Sequence, residues 1–178
     1  MSSPLEKKDL YGGAITVKLP LNLLDASDLR QVPDAQEVFL EHDSDVSYIF
    51  EILDRVEPED PNDAARFHFE SLAQDNSAES SNVIEVIVPD GFSEAPISNP
   101  PPILLQGTQQ VAKYNKTDLD TVEILMALYR VVEKPHDIIF VVNLPKTATT
   151  SEERRQQVQG SFTEMAKSLS IVDFGLFG

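Results

Sequence analysis

The stretch Thr121 to Leu144, TVEILMALYRVVEKPHDIIFVVNL, reads as two strands joined by a short turn. Its arms, Thr121 to Val132 and Asp137 to Leu144, are rich in Val, Ile and Leu, the composition of buried strands. Lys134-Pro135-His136 between them is too short for a crossover, so the arms pair antiparallel. The pattern continues upstream. Ile103 to Tyr114 reads as a strand, and so does the β-branched Asn82 to Val88. Pro89 to Pro102 separates those two, holds five of the twelve prolines and reads as a loop, PPII-like at its end. Downstream, Thr150 with Glu153 three residues on is a capping-box pattern. Val158, Phe162, Met165 and Leu169 then keep the spacing of a helix face. The closing IVDFGLFG is an apolar tail expected against the sheet.

The N-terminal half adds strands and helices. Residues 1–9 are polar and expected to be a flexible terminus, with a single domain over 10–178. Leu10 to Leu19 reads as one strand, because Ile15, Val17 and Leu19 alternate with Ala14, Thr16 and Lys18. Gly12-Gly13 near its start permits a bulge or a close backbone approach. Glu37 to Glu41 reads as a second strand. Val46, Ile49, Phe50, Leu53 and Val56 match one face of a helix, with Asp43, Ser44 and Asp45 as caps and Glu51 and Asp54 together on its solvated side. Asp60-Pro61 opens another helix, expected to run to about Gln74 with Ala65, Phe69 and Leu72 inward. The sum is an α+β layered domain, an antiparallel sheet of about six strands with helices on it.

Composition narrows the function. With 41% hydrophobic residues the chain folds, and no apolar run approaches the ~20 residues of a membrane span. The absence of cysteine excludes disulfides, thiol catalysis and thiolate metal sites. Net charge is −16, and Asp25 to Asp63 alone holds 13 acids against 2 bases, or −11. Such a surface repels nucleic acid and anionic membranes and suits a basic protein partner. A surface that only confers solubility fits the charge equally well.

No catalytic pattern competes. A Walker loop, a dinucleotide fingerprint and a nucleophile elbow are all missing. His42, His68 and His136 have no HExxH-like spacing, and His68 reads as structural. Carboxylates abound, but a glycosidase lines its cleft with aromatic platforms, and this chain has no tryptophan. Asp25, Asp28, Asp34 and Glu37 lack the alternating acids and central glycine of a calcium loop, so no metal or cofactor is expected. What remains is recognition through the acidic loop DASDLRQVPDAQEVFL, Asp25 to Leu40, although on these residues alone an ordinary polar face is the better reading.

At this point the residues resemble a known family. LYGGAITVKLP followed by DASDLRQVPDAQEVF is similar to the Ran guanine nucleotide release factors, the Mog family. YIFEILDRV, ARFHFESL, LLQGTQQVAKYN and IVDFGLFG continue the likeness in order. The resemblance implies an α/β/α sandwich around a mainly antiparallel sheet, the PsbP-like fold of the photosystem II P-subunit. It implies binding of the GTPase Ran, release of its guanine nucleotide, support of nuclear protein import, and residence in nucleus and cytoplasm. A Ran-binding protein would be a further partner, and a monomer is the default state. It implies no enzyme chemistry of its own. The alternative is an acidic adaptor or stabiliser of Ran, or of another basic partner, without exchange activity. The family's partner-binding acids match Asp25, Asp34, Glu37, Glu51 and Asp54, with Asp28, Arg30 and Pro33 shaping the loop.

Overall fold

The computed structural model describes residues 3–90, 98–112, 118–131 and 134–178. In chain order the strands are β1 Leu5–Leu10, β2 Ile15–Pro20, β3 Leu24–Asp25, β4 Gln36–Leu40, β5 Ser47–Asp54, β6 Ala78–Ile87, β7 Ile103–Ala112, β8 Leu119–Val131, β9 His136–Pro145 and β10 Ser170–Ile171. Helix α1, Pro61–Asp75, lies between β5 and β6, and α2, Glu152–Lys167, follows β9.

Seven strands form the main sheet in the order β3-β4-β5-β9-β8-β7-β6, and every pairing is antiparallel. The expected hairpin is its centre, with Leu125 opposite Val142 and Leu128 opposite Ile139. Period-two alternation gives each face its own core. Ile124, Met126, Leu128, Ile139 and Val141 meet Ala65 and Phe69 of α1. On the other face Leu125, Ala127, Tyr129, Phe140 and Val142 meet Val158, Phe162 and Met165 of α2. Phe50 stacks on Phe140 there at 4.3 Å between ring centroids. Gly107 of β7 lets α1 approach, because a Cβ at that position would lie 2.7 Å from the Phe69 ring and from the Asn82 carbonyl.

A second sheet, β1-β2-β10, shares the α2 face and buries Leu10, Ile15, Val17, Leu19 and Ile171 against the same core. The fold is therefore α+β and layered as expected, with seven strands in the main sheet rather than six. Residues 5–9, expected in the flexible terminus, instead form β1 with Leu10. The expected single strand from Leu10 is a hairpin, turned by Tyr11, Gly12 and Gly13 at φ of 52°, 68° and 96°. Two glycines make that left-handed run affordable.

The segment around Val46 to Val56 is strand β5, not a helix. Strand β5 carries apolar residues on both faces, Ile49 and Leu53 on one and Tyr48, Phe50 and Ile52 on the other, so helical spacing is present without a helix. Its aromatic and β-branched residues Tyr48, Ile49, Phe50 and Ile52 fit between β4 and β9. Cap assignment also shifts by one residue, since Ser151 accepts the Arg154 amide while the Thr150 hydroxyl accepts the Asp45 amide. Residues 91–97 of the proline-rich loop, and the expected strand ends at Tyr114 and Val132, lie outside the described residues.

Candidate partner interface

The acidic loop is a braced turn. Asp25 closes β3 opposite Phe39, and its Oδ1 accepts hydrogen bonds from the Ser27 amide (2.9 Å) and hydroxyl (2.7 Å). That caps the 3-10 turn Ala26–Asp28. The Leu29 and Arg30 amides both donate to the Ala26 carbonyl at 3.0 Å, and Ala26 itself is fully buried. The Asp25 carboxylate is thus tied to Ser27, and the Pro33 carbonyl accepts the Gln36 amide at 2.9 Å. Asp28 and Arg30 are exposed.

Strand pairing then joins loop to sheet. Gln36 lies opposite Glu51, Glu37 opposite Phe50, and the Ile52 amide extends the ladder to the Ala35 carbonyl at 3.0 Å. Asp34, exposed, follows at the end of β5 that carries Asp54, also exposed. All five candidate acids thus belong to the β3-β4-β5 edge of the sheet. They do not share one face. Glu37 stands on the side of Phe50 and accepts the Tyr11 amide at 2.6 Å, whereas Glu51 stands on the α1 side and accepts from the Gln36 amide nitrogen at 2.9 Å. Glu51 and Asp54, three apart on a strand rather than a helix, point to opposite faces.

Tyr11 was missed by sequence reasoning. Its hydroxyl donates to the Ala35 carbonyl at 2.9 Å while its amide holds Glu37. Burial, and then the Glu37 and Glu51 charges, push the hydroxyl pKa well up. The signal was present in Gly12-Gly13, which allow the hairpin to reach this edge.

Other acids of the same segment are committed elsewhere. Glu41 takes Arg154 at 2.6 Å and also the Ser44 and Tyr48 hydroxyls. Burial pushes its pKa up, but those hydrogen bonds outweigh burial and hold it below the usual range. Under α1, buried Asp137 takes His68 at 2.8 Å and Arg130 at 3.1 Å, and Arg130 also donates to the Val56 and Pro58 carbonyls. His68 is thus structural, a brace for the β5–α1 connection. Among the described residues no group of three His, Asp or Glu side chains is arranged to hold a metal, and no helix is long and apolar enough to cross a membrane.

Fold and edge together describe a layered α+β domain with a carboxylate-rich sheet edge, on which Asp34 and Asp54 are exposed and Asp25, Glu37 and Glu51 are hydrogen-bonded within the molecule. Comparison with known proteins supplies the lineage. Residues 8–145 match the model of the Ran-interacting Mog1 protein family. The chain belongs to that family. It is 33% identical to the Ran guanine nucleotide release factor of Danio rerio, over 96% of this chain and 99% of that one. It is 30% identical to the nuclear import protein MOG1 of Saccharomyces cerevisiae, over 95% of this chain and 83% of that one. The crystal structure of the Saccharomyces cerevisiae Ran-binding protein Mog1p superposes with a TM-score of 0.79 at 27% identity, covering 99% of this chain and all of that one.

Proposed function

We propose that this chain binds the GTPase Ran through the acidic edge Asp25, Asp34, Glu37, Glu51 and Asp54 and promotes release of its guanine nucleotide. In this role it supports nuclear protein import, working in nucleus and cytoplasm and doing no covalent chemistry of its own. Family membership supports the partner. The observation that carries the site is the β4–β5 register, which gathers acids from 25 to 54 along one sheet edge.

The physics is competition. A GTPase holds its nucleotide with a lysine, a magnesium ion and backbone amides. Carboxylates brought near that site compete for the lysine or disturb the loops that carry the metal. Release follows only if the nucleotide-free state is bound more tightly than the loaded one. A tenfold fall in nucleotide affinity requires about 1.4 kcal/mol of such preference. Two or three charge-assisted hydrogen bonds suffice for it.

The test is a mixing experiment with labelled nucleotide on purified Ran. The wild-type chain accelerates release, Asp34→Lys and Asp54→Lys, both at exposed side chains, abolish the effect with the fold intact, and association slows as salt rises. Unchanged release in both variants would sink the proposal. Binding without any release would identify an adaptor or stabiliser instead.

A further inference from the structure

Leu29 is the most exposed large apolar side chain among the described residues, at 65%. Singly scattered apolar side chains on a surface need no explanation. Leu29 differs from them in two ways. The first is rigidity: it ends the 3-10 turn pinned by Ala26 in the core, by the Asp25 cap, and by two amide bonds to one carbonyl. Its backbone is fixed in the conformation that holds the side chain out. The second is setting. Exposed Leu29 sits in a run that also holds half-buried Val32 and exposed Pro33, and whose charged members are Asp25, Asp28 and Asp34 with Arg30 as the one cation. An interface buries apolar side chains at its centre and leaves charged groups at its solvent-accessible rim, and a rigidly held Leu29 among carboxylates matches that layout.

We infer that Leu29 is the apolar anchor of the partner interface, entering a socket on the partner that lysine and arginine side chains surround. The inference rests on the Ran reading above and adds a division of labour to it. The carboxylates steer the encounter and govern its salt dependence. Leu29 sets how long the complex lasts, since truncating a buried contact acts on dissociation more than association. The pre-formed turn keeps the ordering cost of binding low.

Two substitutions separate an anchor from a bystander, both measured by binding of the full chain to nucleotide-free Ran at low and high salt. Leu29→Ala weakens binding by about tenfold or more, mainly through faster dissociation, with the salt dependence of association unchanged. Leu29→Glu gives opposite signs under the two ideas. A purely electrostatic edge gains a carboxylate and binds a basic partner faster and tighter, whereas loss of an apolar anchor makes binding at least as weak as in Leu29→Ala. Thermal midpoints of both variants match wild type, because the side chain is solvated, and Leu29→Met restores near-normal dissociation. Wild-type affinity in Leu29→Ala, or tighter binding by Leu29→Glu, overturns the inference while leaving the Ran reading standing. A wild-type chain that fails to bind Ran overturns that reading and this anchor with it.

Discussion

Asp137 and Asp34 are the same side chain in opposite settings. Asp137 lies fully buried between α1 and the sheet and is met by His68, Arg130 and the Val56 amide. Asp34 stands exposed at the outer edge beside β4, without a side-chain hydrogen bond or ion pair to the described residues. One carboxylate spends its charge inside the molecule and fixes a connection. The other leaves its charge available to something outside. The distinction runs through the whole chain: Glu41 and Glu123 face Arg154 and Arg155, while Asp28 and Asp54 face water. Net charge alone cannot sort these groups, because burial and the nearest guanidinium decide what each one does.

Breaking the inner member gives the largest effect. Asp137→Ala strands the buried Arg130 without its counter-charge, a loss of about 3–5 kcal/mol. For a chain of this size that lowers the thermal midpoint by on the order of 10 °C. Calorimetry on the purified variant measures it. A loss below about 1 kcal/mol would mean that water reaches the cluster and that the contrast with Asp34 is shallow.

Glu41 gives an intermediate effect and sharpens the contrast with pH. Its carboxyl is held below its ordinary value because Arg154, Ser44 and Tyr48 favour the ionised form over the cost of burial. The folded chain therefore binds that proton less readily than the unfolded chain does. The stabilisation is fully present above the ordinary value of 4.5 and is lost as pH falls through the lower folded value. Asp137, also held low despite burial, adds to the same acid-side decline. The thermal midpoint should hold steady near neutrality and fall below about pH 4.5. Glu41→Gln should lower stability near neutrality by about 1–3 kcal/mol and flatten the acid decline. A variant with the wild-type pH profile would show that Glu41 is not the group responsible.

Much of the fold was readable because its signals are local. The hairpin 121–144 carries its strands and its turn in one stretch, and Asp60-Pro61 marks the start of α1 with its own cap. Strand β5 was misread because Ile49, Phe50 and Leu53, apolar on opposite faces, fall at helical spacing with Val46 and Val56, which lie outside the strand. Its true character is set by β4 and β9, and β9 lies about ninety residues away. The acidic segment was visible as composition. Which of its acids are already committed was not: Glu41 looks like its neighbours, and its partner Arg154 is 113 positions distant. Tyr11 was hidden for a related reason, since its bonds to Glu37 and Ala35 join two sheets whose packing no short window contains.

The smallest expected effect on stability is also the most diagnostic. Asp34→Asn removes a charge from a solvated side chain with no hydrogen bond to lose, so the thermal midpoint should move by no more than about 0.5 kcal/mol equivalent. In the same preparation, release of nucleotide from Ran should slow and its association should become less sensitive to salt. The near-isosteric amide keeps the shape of the edge, so a functional loss without a stability loss assigns the effect to charge. Glu51→Gln offers the internal control. That side chain stands on the α1 side of β5 and already accepts a hydrogen bond from Gln36. Equal losses in the two variants would mean that the partner covers both the loop and the α1 side of β5. A loss confined to Asp34 would mean that it docks from the loop side, where Leu29 stands.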